Sequence, residues 1–326
     1  MKWLFIIDPL ERINPILDTT YCMMQEACSR GINVLYTLVE GLRFDKGVRT
    51  EAIEMTLRDT MLVCHKARDV QLDGCDLIFM RKEPPYDLRY HYALQLLSLT
   101  QTPVVNDPQA LRDFNEKLLI LHFPKWAPPM LVASDKGAIL NFLNIHGVII
   151  LKALTSLQSR QVRKLEATAS DKDTTIDAFT ENGQTPVMVQ CFLPEIEAGN
   201  KRIILLNGEL LGAYNCVPAP GSYLTSIHRD GLKVEKAGIT KQEQSMIQAL
   251  APFLRTHGLS FVGVDTIEGF LSEINITCPG SLTILNQTTQ QRLEDSVIDY
   301  FQRLAKSPYS DCSPSYESCS PLAKAP

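Results

Sequence analysis

The first third of the chain alternates short apolar runs with amphipathic stretches, and few architectures accommodate that rhythm. Trp3–Ile7 is continuously apolar and is stopped by Asp8, the pattern of a strand buried on both faces. A helix is predicted next, with Asp18 as its N-cap and Gly31 just past its end. Ile32–Thr37 and Leu77–Met80 read as further strands, the latter followed by the charged, proline-stopped segment Arg81-Lys82-Glu83-Pro84-Pro85. A helix over about Asp87–Leu99, a strand at Pro103–Val105 and a helix start at Asn106-Asp107-Pro108 complete the series. Such alternation predicts an α/β unit whose parallel sheet is covered on both faces. No GxGxxG follows the first strand, so a dinucleotide site there has no support.

The rest of the chain reads differently. Val148-Ile149-Ile150-Leu151 is a β-branched run ending at Lys152, and Val187–Phe192 is a second apolar strand after a polar, Asp- and Thr-rich stretch. Arg202–Leu206 and Leu210–Tyr214 flank Asn207-Gly208, a strong hairpin signal. A helix over Lys241–Thr256 opens with a capping box, Thr240 and Glu243, and closes at Gly258. A second hairpin spans Leu259–Ile276 and turns near Glu268-Gly269. The 326 residues suit two or three domains.

Charge and cysteine usage exclude several function classes. With 32 basic against 37 acidic residues the net charge is −5, which disfavours nucleic acid as a partner. No stretch approaches the roughly 18 apolar residues of a membrane span, and the N-terminal apolar run is too short for a signal peptide. Nine cysteines form no CxxC pair, and the six histidines form no HxH or HExxH. Free thiols in a reducing cytoplasm are therefore expected.

Three groups of residues can carry chemistry. Along the second hairpin, alternation puts Glu273 and Asn275 on one face, and a short turn can set Asp265 opposite Glu273. Two carboxylates and an amide oxygen suit Mg²⁺ beside phosphates; the same spacing also fits an amphipathic hairpin with a solvated polar face. Lys152 ends an apolar strand and Lys117 lies in the helix-forming run Asn115–Leu119. Lysines so placed can meet phosphate as point charges or snorkel at the surface. Arg81 and Lys82 follow a buried strand, where open parallel sheets bind ligands; the other reading is a charged loop.

Together these segments resemble prokaryotic-type glutathione synthetase, of the ATP-grasp superfamily, from about residue 2 to residue 305. The resemblance is carried by Ile7-Asp8-Pro9 with Ile13-Asn14; Met80-Arg81-Lys82-Glu83-Pro84-Pro85; Val105-Asn106-Asp107-Pro108 through Leu111-Arg112-Asp113; Asn115-Glu116-Lys117; Ile150-Leu151-Lys152; Asn200-Lys201-Arg202; and Phe261-Val262-Gly263-Val264-Asp265 with Glu273-Ile274-Asn275. It implies an α/β ATP-grasp fold: an N-terminal parallel-sheet domain over residues 1–114, a central lobe over 115–190 and a C-terminal lobe with the metal hairpin over 191–306. ATP would lie between two antiparallel sheets, its phosphates on Lys117 and Lys152 and its adenine along Gln190, Cys191, Phe192 and Leu193. Asp265, Glu273 and Asn275 would bind Mg²⁺, with Mn²⁺ as the alternative. Arg202 would be catalytic, and Arg81 and Lys82 would bind substrate. The implied reaction joins γ-glutamylcysteine and glycine through an acyl phosphate. The implied partners are ATP, a small peptide or amino-acid substrate, and further copies of the chain.

Two segments depart from the family. Its glycine-rich phosphate loop is here Ala153–Arg160, without a glycine, so β-carbons obstruct backbone contact with phosphate. Its mobile Gly- and Arg-rich lid is here Asn215–Gly231, with the arginines displaced or gone, and its acidic residue before the Lys-Arg pair is Asn200. An acyl phosphate less well covered is lost to water. Impaired ligation is therefore expected, the alternative being a non-catalytic nucleotide- or peptide-binding relative or partner subunit.

Half of the last 20 residues, Ser307–Pro326, are Ser or Pro, so the tail is expected to be disordered and dispensable for folding. Truncation after Lys306 should leave the melting temperature unchanged. A drop of several degrees would show instead that the tail docks on the core.

Overall fold

The computed structural model describes residues 1–154, 162–225 and 230–306. Most of Ala153–Arg160, residues 226–229 of the lid-like segment and the Ser/Pro tail lie outside the described residues. The described chain forms three sheets.

The first sheet contains β1 (Lys2–Ile6), β2 (Asn33–Thr37), β3 (Arg43–Phe44), β4 (Val48–Arg58), β5 (Met61–Gln71), β6 (Leu77–Met80) and β7 (Val104–Val105). Its order is β3-β4-β2-β1-β6-β7, with β5 on the outer side of β4. Pairings among β2, β1, β6 and β7 are parallel, as the alternation requires. The sheet is nevertheless mixed, because β3, β4 and β5 extend it antiparallel.

Side-chain alternation along β1 builds two cores. Trp3, Phe5 and Ile7 pack with Met23, Met24 and Ala27 of α1 (Thr19–Ser29). Leu4 and Ile6 face Tyr90, Leu94 and Leu97 of α2 (Leu88–Leu97). Phe79 stacks on Phe5 at 4.5 Å and meets the edge of Phe301 at 5.0 Å. Local sequence fixes the ends: Asp18, Asp87 and Asp107 each accept an N–H from the first turn of their helix. The third of these helices is α3 (Pro108–Asp113).

The second sheet, in order β10-β9-β11-β8, is antiparallel and contains β8 (Met130–Ala133), β9 (Val148–Ala153), β10 (Val162–Glu166) and β11 (Val187–Cys191). Ile149, Leu151, Val187 and Val189 pack on α4 (Lys136–His146) and α5 (Lys172–Phe179). Period two then sends Ile150, Lys152 and Gln190 to the opposite face. The third sheet, also antiparallel, has the order β14-β13-β12-β15-β16. Its strands are β12 (Asn200–Leu206), β13 (Glu209–Val217), β14 (Lys233–Lys236), β15 (Phe261–Ile267) and β16 (Phe270–Asn275). Ile203, Leu205, Val262 and Val264 cover α6 (Lys241–Thr256), leaving Arg202 and Asp265 on the other face. Two last helices, α7 (Leu282–Thr289) and α8 (Leu293–Leu304), return to the first sheet. Among the described residues no helix is long and apolar enough to cross a membrane.

The capping box of α6 reaches beyond its helix. Glu243, 1 % exposed, accepts from the Thr240 N–H, the Thr266 hydroxyl and the Lys201 ammonium. Burial pushes its carboxyl up, but Lys201 and Thr240 outweigh that and hold it below its ordinary value. A depressed carboxyl stabilises the fold above the unfolded-state pKa of about 4.3, and that contribution is lost as pH falls through the lower folded value. Glu243→Gln should therefore cost about 2 kcal/mol at pH 7. In urea titrations the difference from the unmodified protein should shrink once the pH drops below about 4.

Candidate nucleotide and metal site

The free faces of the second and third sheets look at each other across a cavity of about 300 Å³. In the third sheet the register sets Tyr214, Arg202, Asp265 and Glu273 side by side across four strands. The Arg202 guanidinium donates Nε to Asp265 Oδ1 at 2.5 Å and a terminal nitrogen to Oδ2 at 2.9 Å. Asn275 donates to the same Oδ2 at 3.2 Å. Burial disfavours the charge on Arg202, yet Asp265, Tyr214 and Glu273 prevail and raise its pKa.

Two cations reach this face from outside the third sheet, Lys152 from β9 and Lys117 from a turn packed against β16. Lys117 Nζ lies 3.3 Å from Glu273 Oε1, and Lys152 Nζ donates to the Ser272 hydroxyl at 3.0 Å. Burial pushes Glu273 up, but Lys117, Lys152 and Arg202 together bring it below its ordinary value. Lys152 is lowered, chiefly by burial, with Lys117 adding to it against the pull of Glu273. Lys117 is the N-cap of a 3₁₀ turn, Leu118–His122, where the sequence suggested a helical run.

Asp265, Glu273 and Asn275 thus form a cluster of hard oxygens already balanced by cations. That donor set fits a divalent ion, with the Asn275 amide turned to present its oxygen. At the other end of the cavity, Gln190, Cys191, Phe192 and Leu193 line the wall. Gln190 Nε2 and Asn200 Oδ1 are both buried without a partner among the described residues, and both residues line the cavity. Buried polar atoms are seldom left unpaired in native proteins, so these two fit a polar ligand lying between the sheets.

Arg81 and Lys82 are placed behind this cavity. The Arg81 side chain is buried, donates to the Thr20 hydroxyl and the Pro279 carbonyl, and lies over the Phe261 ring. Lys82 pairs with Asp8 at 3.0 Å. Their neighbours Glu83 and Pro84 line the cavity instead. Sequence reasoning did not single out Glu116, Tyr214, Ser272 or the wall Thr277–Ser281, all lining residues. Tyr214 was accessible through alternation with Cys216 on the same strand; the others carry no local signature. Cys278 in that wall donates to the Arg81 carbonyl, and burial pushes its thiol up to about 12, so it is an inert part of the wall.

A strap also crosses the cavity. Tyr223, Leu224 and Thr225 line it from the segment after β13. The Tyr223 hydroxyl accepts from the Lys164 N–H of β10 at 3.2 Å, and Asn200 donates to the Thr225 hydroxyl at 3.2 Å. This part of the lid-like segment therefore touches both sheets.

Residues 1–112 match the N-terminal domain of prokaryotic glutathione synthetase, and residues 116–290 match its ATP-grasp domain. The glutathione synthetase of Synechocystis sp. is 36% identical over 319 residues, covering 93% of this chain and 99% of that one. That of Nitrosomonas europaea is 35% identical over 315 residues, covering 93% and 98%. Among solved structures, the D-cycloserine synthetase DcsG superposes with a TM-score of 0.65 at 13% identity, covering 91% of this chain and 99% of that one. D-alanyl-alanine synthetase A from Vibrio cholerae gives 0.61 at 14%, covering 94% and 99%; at such identities the likeness speaks for the fold alone. With both domain matches and relatives above 30% identity over nearly the whole chain, the protein belongs to the prokaryotic glutathione synthetase family of ATP-grasp proteins.

Proposed function

We propose that the protein is an ATP-dependent carboxylate–amine ligase joining γ-glutamylcysteine, or a close relative, to glycine or another amine. The observation that carries this reading is the meeting of Lys117 and Lys152 with the Glu273 hairpin beside the Arg202–Asp265 pair. In it, Lys117 and Lys152 take the nucleotide phosphates and Gln190–Leu193 take the base. Asp265, Glu273 and Asn275 hold Mg²⁺, or Mn²⁺ in its place, which when bound offsets charge on the transferring phosphoryl group. Arg202, kept charged and aimed by Asp265, stabilises the negative charge that develops as the substrate carboxylate is phosphorylated. Arg81 holds the Pro279 carbonyl and so braces the wall on the substrate side, with Lys82 beside it.

The strap supports a cover of different chemistry from a glycine-rich one. Tyr223 and Thr225 hold it through hydroxyl groups, and it limits the access of water to an acyl phosphate. The sequence after Lys152 has no glycine through Arg160, so each of its backbone donors carries a β-carbon beside it, and hydrolysis should compete with ligation.

Three outcomes follow from these roles. Millimolar Mg-ATP should raise the melting temperature, since saturation a hundredfold above Kd contributes about 2.7 kcal/mol. Asp265→Asn should reduce that shift, and no shift in well-folded protein would sink the proposal. With ATP, γ-glutamylcysteine and glycine, mass analysis should find peptide product at less than one equivalent per ADP released. A ratio near one with brisk turnover would show that the altered segments make a competent cover. Finally, Tyr223→Phe, which keeps the ring and removes the acceptor, should lower that ratio further while leaving the Mg-ATP thermal shift unchanged.

A further inference from the structure

The turn that supplies Lys117 grips the metal hairpin in a second way. Glu116 Oε1 accepts three hydrogen bonds: the Ile276 N–H at 2.7 Å, the Thr277 N–H at 2.9 Å and the Thr277 hydroxyl at 2.8 Å. Its own carbonyl accepts the Ile274 N–H at 3.3 Å. These contacts fall on either side of Asn275, so a single residue brackets it. The neighbouring Lys117 meanwhile holds Glu273. On the other side, Asn115 donates to the Leu154 carbonyl at 3.0 Å, next to the strand that carries Lys152. The short turn therefore ties the root of one lysine strand to the end of the hairpin.

We infer that Glu116 is a positioning residue for the divalent-ion site, acting through the backbone on both sides of Asn275. A carboxylate that collects two successive N–H groups and a hydroxyl fixes the exit of β16 more tightly than one peptide contact would. Without it, the strand end carrying Asn275 is free to move away from Asp265, although every oxygen of the site remains. Glu116 need not touch the ion; its part is to keep three oxygens from separate strands at the spacing a small cation demands. The inference rests on the metal-dependent reading above, and the experiment separates the two.

The test is the magnesium chloride concentration that half-saturates the thermal shift produced by a fixed, saturating level of ADP. Glu116→Ala should raise it about tenfold, the scale found when a group supporting a metal ligand is lost. Glu116→Gln, which keeps an acceptor oxygen, should stay within about threefold of the unmodified protein. Thr277→Val leaves Glu116 in place and removes one of its three bonds, so it should move the value in the same direction by a smaller factor. It also decides the matter if Glu116→Ala fails to fold. A lower melting temperature with an unchanged half-saturating concentration in these variants would make Glu116 merely structural and overturn the inference. Absence of any magnesium-dependent shift in the unmodified protein would overturn the metal-dependent reading and this inference with it.

Discussion

The architecture of the site depends on one constraint: charges brought into a cleft between two sheets must meet opposite charge or polar partners. Removing a single carboxylate or ammonium from water without compensation costs several kcal/mol. Glu273 is met by Lys117, Asp265 by the fork of Arg202, and Lys152 by the Ser272 hydroxyl. The Lys152–Ser272 contact joins the two sheets, while the other two pairs tie neighbouring segments together on the face of the third. A cation lies beside Glu273 and another beside Asp265, so these two carboxylates are balanced before any ligand arrives. On the proposed function, arriving phosphates and a divalent ion would exchange partners with groups already aimed at them, which would keep reorganisation small.

Much of this was legible in the sequence because its signals are local. Asn207 and Gly208 adopt positive φ values of 53° and 74°, and Glu268 and Gly269 adopt 49° and 79°, the left-handed pairs that their hairpins demand. The Thr240–Glu243 box and the aspartate caps act within one turn of a helix. Period two along β15 and β16 put the metal-type oxygens on one face. What escaped was of two kinds. The β4–β5 hairpin was missed because β5 is exposed over most of its length; no buried face imposes alternation, and its turn at Asp59, with φ 55°, lacks glycine. Glu116 was missed because its partners lie some 160 residues away. In the sequence it stands only within Asn115-Glu116-Lys117, a segment of the resemblance that gives it no role of its own.

Arg81 and Lys82 show where a sound rule gives an incomplete answer. Charged residues past the carboxyl end of a parallel strand do lie beside the cavity. Yet the Arg81 side chain turns into the protein, against Thr20, Phe261 and the Pro279 carbonyl. Its buried cation serves to hold a stretch of backbone, and that stretch, Thr277–Ser281, forms the wall the ligand would meet. Residue type and position located the right region; only tertiary contacts say whether the charge faces outward or inward.

The long hairpin at the margin of the first sheet has a bearing on how the protein behaves in company. Through β4 the sheet is extended to β5, an 11-residue strand paired, among the described residues, with β4 alone. Its other edge offers main-chain donors and acceptors in a row, the template on which strands from other molecules add. Along that strand His65, Lys66, Arg68 and Asp69 are exposed, and Asp69 and Arg68 are engaged by Arg43, Arg49 and Glu54 of the neighbouring strands. An incoming strand would have to bring those charges close to its own and strip them of water. Exposed ion pairs of this kind contribute little to folding, but charges along an open sheet margin disfavour the addition of another strand.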